Sequence, residues 1–270
     1  MKVLFFGDLV GSPGITAVSD FLPSLVKRYE ADLVIANAEN ATRGFGLNYG
    51  DARALKDAGV DVITLGNHWR GRSSIDDFFE EIEGLIRPYN IRQHDTVGVG
   101  YITLDVKGVP VTVSNILGTA FMKEEVNSPM GALVDILDEV PEGIHIVDYH
   151  AESTSEKATF AHYFDGQVAA ILGTHTHVQT NDARVLPLGT AFISDIGMCG
   201  AYDSVIGFEP QSVIARIING SPEPMQIDAE AKRCVNAVLL DIDEETGLSR
   251  SIRPIFLIEG KPLQYGEENL

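Results

Sequence analysis

Residues 2–8 read Lys-Val-Leu-Phe-Phe-Gly-Asp, a short apolar run that ends in a glycine and a carboxylate. Four more apolar runs along the chain are followed within three residues by Glu, Asn or His. These runs cover residues 33–38, 60–65, 144–149 and 168–172, and their polar ends are Glu39-Asn40, Asn67-His68, His150 and His175-Thr176-His177. Short β-branched runs bounded by glycine are typical of buried strands, so the pattern predicts an α/β sheet structure.

The polar ends of these runs predict a metal site. In open α/β sheets ligands bind beyond the carboxyl ends of the strands, so we expect the five ends to meet. They supply carboxylate, amide and imidazole donors and no thiolate, a set that suits Mn, Fe or Zn better than Ca or Cu. The candidate metal ligands are Asp8, Glu39, Asn40, Asn67, His150, His175 and His177. The spacing of the last two predicts that both imidazoles project to one side of extended backbone.

Between and beyond these strands the periodicity predicts helices and hairpins. Helices are expected over residues 15–29 with a kink or break at Pro23, over 49–58 before Gly59, from Ser73 or Ser74 to Gly84, and over 130–140. Hairpins are expected over 101–115, around Lys107-Gly108, and between 234–242 and 249–258. No linker or repeat divides the sequence. We therefore predict one domain over residues 1–270, with two packed mixed β-sheets flanked by helices.

Charge and composition limit the possible partners. The 270-residue chain has a net charge of −19 and is 44 % hydrophobic. So acidic a surface disfavours a stable complex with long nucleic acid, although bound metal ions reverse the field locally for a small phosphate ester. No run approaches the ~18 apolar residues of a membrane span. With only Cys199 and Cys234 and no signal-peptide pattern, the sequence predicts a reduced, cytoplasmic protein. The sequence leaves open whether the protein forms a homo-oligomer.

Longer motifs resemble a known family. Residues 7–14 (GDLVGSPG), 37–40 (NAEN), 148–157 (DYHAESTSEK) and 173–180 (GTHTHVQT) are similar to the YmdB-like branch of the calcineurin-like metallophosphoesterases, and 194–198 (SDIGM) continue the likeness. That branch consists of bacterial enzymes similar to 2′,3′-cyclic-nucleotide 2′-phosphodiesterases. The resemblance covers nearly the whole chain and implies a four-layer α/β/β/α sandwich with a small phosphodiester, a 2′,3′-cyclic nucleotide, as substrate.

The resemblance also implies a role for each candidate residue. One metal would be held by Asp8, Glu39, Asn40 and His177, and the other by Glu39, Asn67, His150 and His175, with Glu39 bridging. Two such ions share a water and neutralise the phosphoryl oxygens. His68 would be the general acid that protonates the departing ribose oxygen. If residues 67–68 are extended, Asn67 and His68 point in different directions, so only one of them readily faces the metal.

Two departures from the broader superfamily agree with this branch. Val10 stands where the usual Asp-x-His has its histidine, and Glu39 replaces the usual bridging aspartate. A third departure belongs to this chain: residues 69–72 read Trp-Arg-Gly-Arg, where relatives have Thr-Trp-Asp after the histidine. The contacts of this loop with the substrate are therefore not predicted.

Other interpretations remain at this point. Asp8, Glu39 and Asn67 also suit helix caps and turns at strand ends. Glu152 and Glu156 are either partners that orient imidazoles or solvated carboxylates. His94, His145 and His162 lie off the ligand pattern and are interpreted as surface or satisfied core histidines. The same core would also serve a phosphomonoesterase or 5′-nucleotidase, and a regulatory protein with a structural metal site is the alternative outside the enzymes.

Overall fold

The computed structural model describes residues 1–92 and 97–261, so His94 lies outside the described residues. Over these residues, seven strands form one mixed sheet. They are β1 Lys2–Phe6, β2 Asp8–Leu9, β3 Leu33–Asn37, β4 Val62–Thr64, β11 Met198–Ala201, β12 Arg233–Ile242 and β13 Ser249–Ile258. The spatial order is β2-β11-β12-β1-β3-β4, with β13 also paired to β12. Strands β1, β3 and β4 are mutually parallel, whereas β12 is antiparallel to β1.

Six further strands of the described chain form the second sheet. They are β5 Tyr101–Val106, β6 Val109–Leu117, β7 Ile144–His150, β8 Ala170–Thr174, β9 Arg184–Val185 and β10 Ala191–Ile193. Their order is β5-β6-β7-β8-β10-β9, with a parallel centre and antiparallel edge strands. Because β7 and β8 are parallel, their carboxyl ends lie at the same edge of this sheet.

Within the described ranges, helices connect these strands. They are α1 Gly11–Tyr29, α2 Tyr49–Ala58, α3 Ile75–Phe78 with a 3₁₀ turn Phe79–Glu81, α4 Pro129–Glu139, α5 Thr154–Tyr163 and α6 Pro210–Asn219. Each of these helices is too short or too polar to cross a bilayer.

The alternation of side chains along β1 explains the layers. Leu4 and Phe6 belong to the core shared with α1 and α2, whereas Val3 and Phe5 belong to the core between the two sheets. A third core lies under α4 and α5, on the outer face of the second sheet. The predicted arrangement of helix, sheet, sheet and helix is therefore confirmed.

Most predicted elements are found, but the helix expected from Ser73 or Ser74 to Gly84 is shorter, because α3 and its 3₁₀ turn end at Glu81. Both predicted hairpins form, and Gly59 ends α2 with a φ of 105°. Helix α1 runs without a break through Pro23. The missing backbone donor and ring clash of an interior proline cost about 3 kcal/mol. Burial of Leu22 and Leu25 on the same helix offsets that cost, at about 1.5–3 kcal/mol for each side chain.

Candidate active site

Glu39 lies at the centre of the polar residues that follow the strands. It comes two positions after β3 and is buried, with its Oε1 atom 3.3 Å from His150 Nε2 and 3.0 Å from Asn40 Nδ2. Its Oε2 atom accepts the His68 backbone N–H at 2.8 Å. Burial raises the pKa of Glu39, but the charge and hydrogen bond of His150 outweigh burial and hold the pKa well below its usual range. Glu39 is thus a fixed carboxylate.

His150, at the end of β7, is oriented by a buried chain of hydrogen bonds. The Thr174 hydroxyl donates to Asp148 Oδ1 at 2.6 Å, so it accepts from His150 Nδ1, which lies 2.9 Å away. The opposite nitrogen, Nε2, therefore faces Glu39 and lies 3.0 Å from Asn67 Oδ1. Burial lowers the pKa of His150. The neighbouring carboxylates, chiefly Glu39, have a larger effect in the opposite direction and raise the pKa to about 9. In the absence of metal, a proton occupies this nitrogen.

His175 lies against His150, but by a different backbone path from the one expected. Its Nδ1 is 3.1 Å from His150 Nε2, and its Nε2 is 3.2 Å from Glu152 Oε2. Strand β8 ends at Thr174, and His175 and His177 have φ values of 102° and 67°. The expectation of an extended segment here is therefore wrong, because the chain turns in left-handed backbone. Burial and the charge of His150 lower the pKa of His175 to about 3.

Asp8, in β2, is buried and only half satisfied. Its Oδ2 accepts the His175 backbone N–H at 3.0 Å, whereas Oδ1 has no hydrogen-bond partner among the described residues. The closest cationic atom, His150 Nδ1, is 3.9 Å from Oδ1. Burial raises the pKa of Asp8 to about 6, against the opposing effect of His177. A buried carboxylate oxygen without a donor is a site where a cation fits.

Asn40 contacts both His177 and His68. Its Nδ2 lies 3.1 Å from His177 Nε2, and its Oδ1 lies 2.7 Å from His68 Nδ1. The amide oxygen thus faces His68 rather than His177. Residues 67–70 form a turn, closed by the Trp69 N–H on the Gly66 carbonyl at 3.1 Å, so the expected extended backbone at Asn67 and His68 is wrong.

The structure brings all the candidate ligands to one edge of the two sheets. We call Asp8, Glu39, Asn40, Asn67, His150, His175 and His177 the ligand cluster. Ligand atoms of Glu39, His150 and His175 lie within 4.8 Å of one another, and the unpartnered Asp8 Oδ1 lies 3.9 Å from His150 Nδ1. Carboxylate oxygens and imidazole nitrogens gathered in this way are the atoms that bind transition metals in proteins. The donor set therefore fits transition metal ions.

Gly66 is required by the close packing of this cluster. A Cβ atom at position 66 would lie 2.3 Å from Glu39 Oε2 and 2.4 Å from His150 Nε2. Both distances are far shorter than any van der Waals contact between such atoms, so a side chain here would displace a candidate ligand.

A buried ion pair supports the turn that carries His175 and His177. Lys157 Nζ, from α5, donates to the Thr174 carbonyl at 2.8 Å and to Asp195 Oδ2 at 2.9 Å. The same Asp195 oxygen accepts the Thr176 N–H at 2.9 Å. Lysine is rarely buried without a partner. The place of Lys157 in the motif 148–157 was the feature of the sequence from which its supporting role could have been predicted.

The two glutamates left open by the sequence have different roles. Glu152 is half exposed and contacts His175, as a partner that orients an imidazole would. Glu156 accepts the backbone N–H of Thr119 and Ala120, so it closes the loop after β6 and contacts no histidine of the cluster. Of the remaining histidines, His162 is exposed, and His145 is a core histidine with one of its two nitrogens satisfied, by Ser114.

A cleft of about 870 Å³ opens over the ligand cluster and contains groups that the sequence did not predict. His68, Glu39 and His175 line this cleft, and the His68 side chain is 32 % exposed. Three arginines also line it; we call Arg43, Arg72 and Arg216 the arginine wall. Phe45, next to Arg43 in a glycine-rich segment, packs its ring 4.5 Å from the His68 ring. The two glycines of that segment, residues 42–46, are a local feature of the sequence from which a binding loop could have been predicted.

Comparisons with known proteins agree with this fold. A model of the family described as YmdB-like proteins matches residues 4–255. The 2′,3′-cyclic-nucleotide 2′-phosphodiesterase of Bacillus subtilis is 37 % identical over 259 residues, which are 95 % of this chain and 97 % of that protein.

Two solved structures are similar over nearly their whole length. One is a protein of Thermus thermophilus, with 41 % identity, a TM-score of 0.89 and coverage of 96 % of this chain and 100 % of that one. The other is a phosphatase of Mycoplasma pneumoniae, with 35 % identity, a TM-score of 0.90 and coverage of 97 % and 95 %. The chain therefore belongs to the YmdB-like family and is an enzyme that hydrolyses phosphoric esters.

Proposed function

We propose that the protein is a dinuclear-metal phosphodiesterase that hydrolyses 2′,3′-cyclic nucleotides to nucleoside 3′-phosphates. The observation that carries the proposal is the ligand cluster, in which one oxygen of Glu39 contacts both His150, at 3.3 Å, and Asn40, at 3.0 Å. The name of the Bacillus subtilis relative supports the cyclic nucleotide as substrate.

In this proposal Glu39 would be a ligand of both of two transition metal ions, with Fe or Mn favoured and Zn an alternative. Asp8, Asn40 and His177 would complete one site, and Asn67, His150 and His175 the other. When bound, the ions lower the pKa of a shared water and neutralise the phosphoryl oxygens. The chain's own contribution is orientation: Thr174 and Asp148 hold the His150 ring with Nε2 inward, and Lys157 fixes the turn below His175.

His68 is the proposed general acid. It borders the cleft beside the ligand cluster, and the contact of its Nδ1 with Asn40 leaves Nε2 for the ribose oxygen that departs. Burial lowers the pKa of His68, while the carboxylate of Glu39 acts in the opposite direction. An anionic phosphate bound next to the ring adds to the effect of Glu39 and favours the protonated, acid form.

A substrate panel on metal-reconstituted protein tests this function. We expect 2′,3′-cyclic AMP to give 3′-AMP as the product identified by chromatography, because the P–O2′ bond breaks. Release of 2′-AMP would show that the P–O3′ bond breaks instead. Hydrolysis of 5′-AMP without any diesterase activity would favour a nucleotidase. Bound metal with no turnover of bis-p-nitrophenyl phosphate would favour a structural site.

A further inference from the structure

The arginines of this acidic chain fall into two groups. Several pair with carboxylates on the surface: Arg53 with Asp57, Arg70 with Asp76, Arg184 with Asp182, Arg233 with Asp20 and Glu259, and Arg250 with Asp243. With 39 acidic and 20 basic side chains, such pairing is the expected fate of an arginine.

The arginine wall does not follow this rule. Among residues 1–92 and 97–261, no carboxylate lies within ion-pair distance of Arg43, Arg72 or Arg216. Arg72 donates from Nη2 to the Thr42 carbonyl at 2.9 Å, and its buried Nε has no partner in the described chain. Arg216 Nη1 donates to the Glu223 carbonyl at 3.2 Å. Carbonyl contacts fix these guanidinium groups without neutralising them.

The three arginines reach the cleft from separate parts of the fold. Arg43 follows β3, Arg72 follows β4, and Arg216 lies in α6. Three cations from unrelated segments that line one cleft, in a protein of net charge −19, form a local site for an anion.

An apolar surface lies beside this anion site. Phe45 is 47 % exposed, and Phe208, Ile206 and Met225 line the same cleft. Because the Phe45 ring also contacts His68, this surface extends to the position proposed for the departing oxygen. An exposed aromatic ring of this kind stacks against a nucleobase.

We infer that the preferred substrate carries a second phosphate, on the 5′ oxygen of the ribose whose cyclic phosphate lies at the ligand cluster. The inference rests on the proposed function. A cyclic mononucleotide has one phosphate, which the metals take, so it leaves the arginine wall without a partner. The 5′ oxygen is carried on the opposite face of the ribose ring from the cyclic phosphate. A phosphate there meets the arginines while the base packs on Phe45.

This second phosphate is either a 5′-monophosphate or the diester linkage to a preceding nucleotide. Arg43 also borders an adjoining cleft of about 540 Å³, which is lined by the polar side chains of Ser12, Asn48 and Gln226 and by the carboxylate of Asp51. A preceding nucleotide would extend into that space, whereas a monophosphate would end at the wall.

Three substrates separate these cases: adenosine 2′,3′-cyclic phosphate, its 5′-phosphorylated form, and a dinucleotide that ends in a 2′,3′-cyclic phosphate. We expect kcat/KM to rise roughly 10- to 100-fold with a 5′ phosphate, the range for hydrogen bonds to a charged group. A gain for the dinucleotide alone identifies the diester as the source. Equal kcat/KM for all three overturns the inference and leaves the proposed function intact.

A comparison of two binding affinities tests the inference without measuring turnover. Adenosine 3′,5′-bisphosphate should bind the metal-loaded protein at least tenfold more tightly than adenosine 3′-phosphate by calorimetry, and equal affinity would overturn the inference. If the bisphosphate binds better but no cyclic phosphate is hydrolysed, the proposed function fails while the second-phosphate site stands.

Variants connect the effect to the arginine wall. Arg72→Gln and Arg216→Gln should each lower the ratio of kcat/KM with and without the 5′ phosphate, mainly through KM. Arg70→Gln is the matched control, since Arg70 lies two positions from Arg72 but pairs with Asp76 outside the cleft. An unchanged ratio in the Arg72→Gln and Arg216→Gln double variant would assign the preference elsewhere and overturn the inference.

Discussion

The ligand cluster and the arginine wall border the same cleft, yet they are built in opposite ways. Glu39, Asp8 and His150 follow or end strands, are fully buried and are held by side-chain hydrogen bonds. Arg43 and Arg72 lie in loops, and Arg216 lies in a ten-residue helix at the surface. The groups proposed for the chemistry thus lie on the sheets, and the charges proposed to select a substrate lie on segments that vary more easily.

The comparison predicts the largest loss when the centre of the ligand cluster is changed. Glu39→Gln removes the proposed bridging charge but keeps the shape, so activity should fall on the order of 10³-fold or more. Metal content should fall from about two ions per chain, the number that a shared-water site requires. Kinetics and elemental analysis of the same preparations measure both.

Glu152→Gln is the control for this variant, because Glu152 contacts His175 from a half-exposed position and should matter much less. Normal turnover in Glu39→Gln, or a wild-type metal content that cannot be raised above one, would contradict the dinuclear site.

A second change weakens the support beneath the cluster. Lys157→Met leaves Asp195 buried without its cation, and breaking a buried pair in this way costs about 3–5 kcal/mol. The free energy of unfolding from urea titration measures the loss. The Lys157→Met and Asp195→Asn double variant should recover part of it. A loss below about 1 kcal/mol would show that the pair does not hold the turn.

His68→Ala tests the boundary between the cluster and the cleft. We expect both metals to stay bound and the rate with a cyclic nucleotide to fall about 10²-fold, because a ribose alkoxide needs a proton as it leaves. A p-nitrophenyl ester, whose phenolate leaves unprotonated, should lose much less. Kinetics on both substrates with metal analysis check this, and equal losses on the two would remove His68 as the acid.

The smallest expected effect lies away from both regions, at His145. Burial lowers its pKa to about 4, below the unfolded value near 6.5, so the unfolded state binds more protons as the pH falls. His145 therefore contributes to the loss of stability on acidification, by roughly 2 kcal/mol between pH 7 and pH 5. Urea titrations of wild type and His145→Gln at both pH values measure it. Equal acid sensitivity of the two proteins would contradict the assignment.

The same contrast explains what the sequence could predict. Glu39 and His150 were found because an apolar run defines a strand, and a strand defines the edge at which its next residue lies. Arg72 and Arg216 are 144 positions apart and line the same cleft through packing that no local pattern records. The backbone of His175 was missed because its left-handed φ depends on contacts to Asp195 and Lys157. Of the kink or break expected at Pro23, the break does not occur, because burial of α1 outweighs a local preference.

Gly66 has a consequence for how this enzyme can change over time. A new side chain there would overlap Glu39 and His150, and neither can retreat, because the His68 N–H holds one and Thr174 holds the other. A side chain at this position therefore displaces a candidate ligand. Substitutions at Gly66 therefore disturb the ligand cluster, whereas substitutions in the loops that carry Arg43 and Arg72 leave it in place. A lineage could in this way change its substrate while its metal chemistry stayed the same.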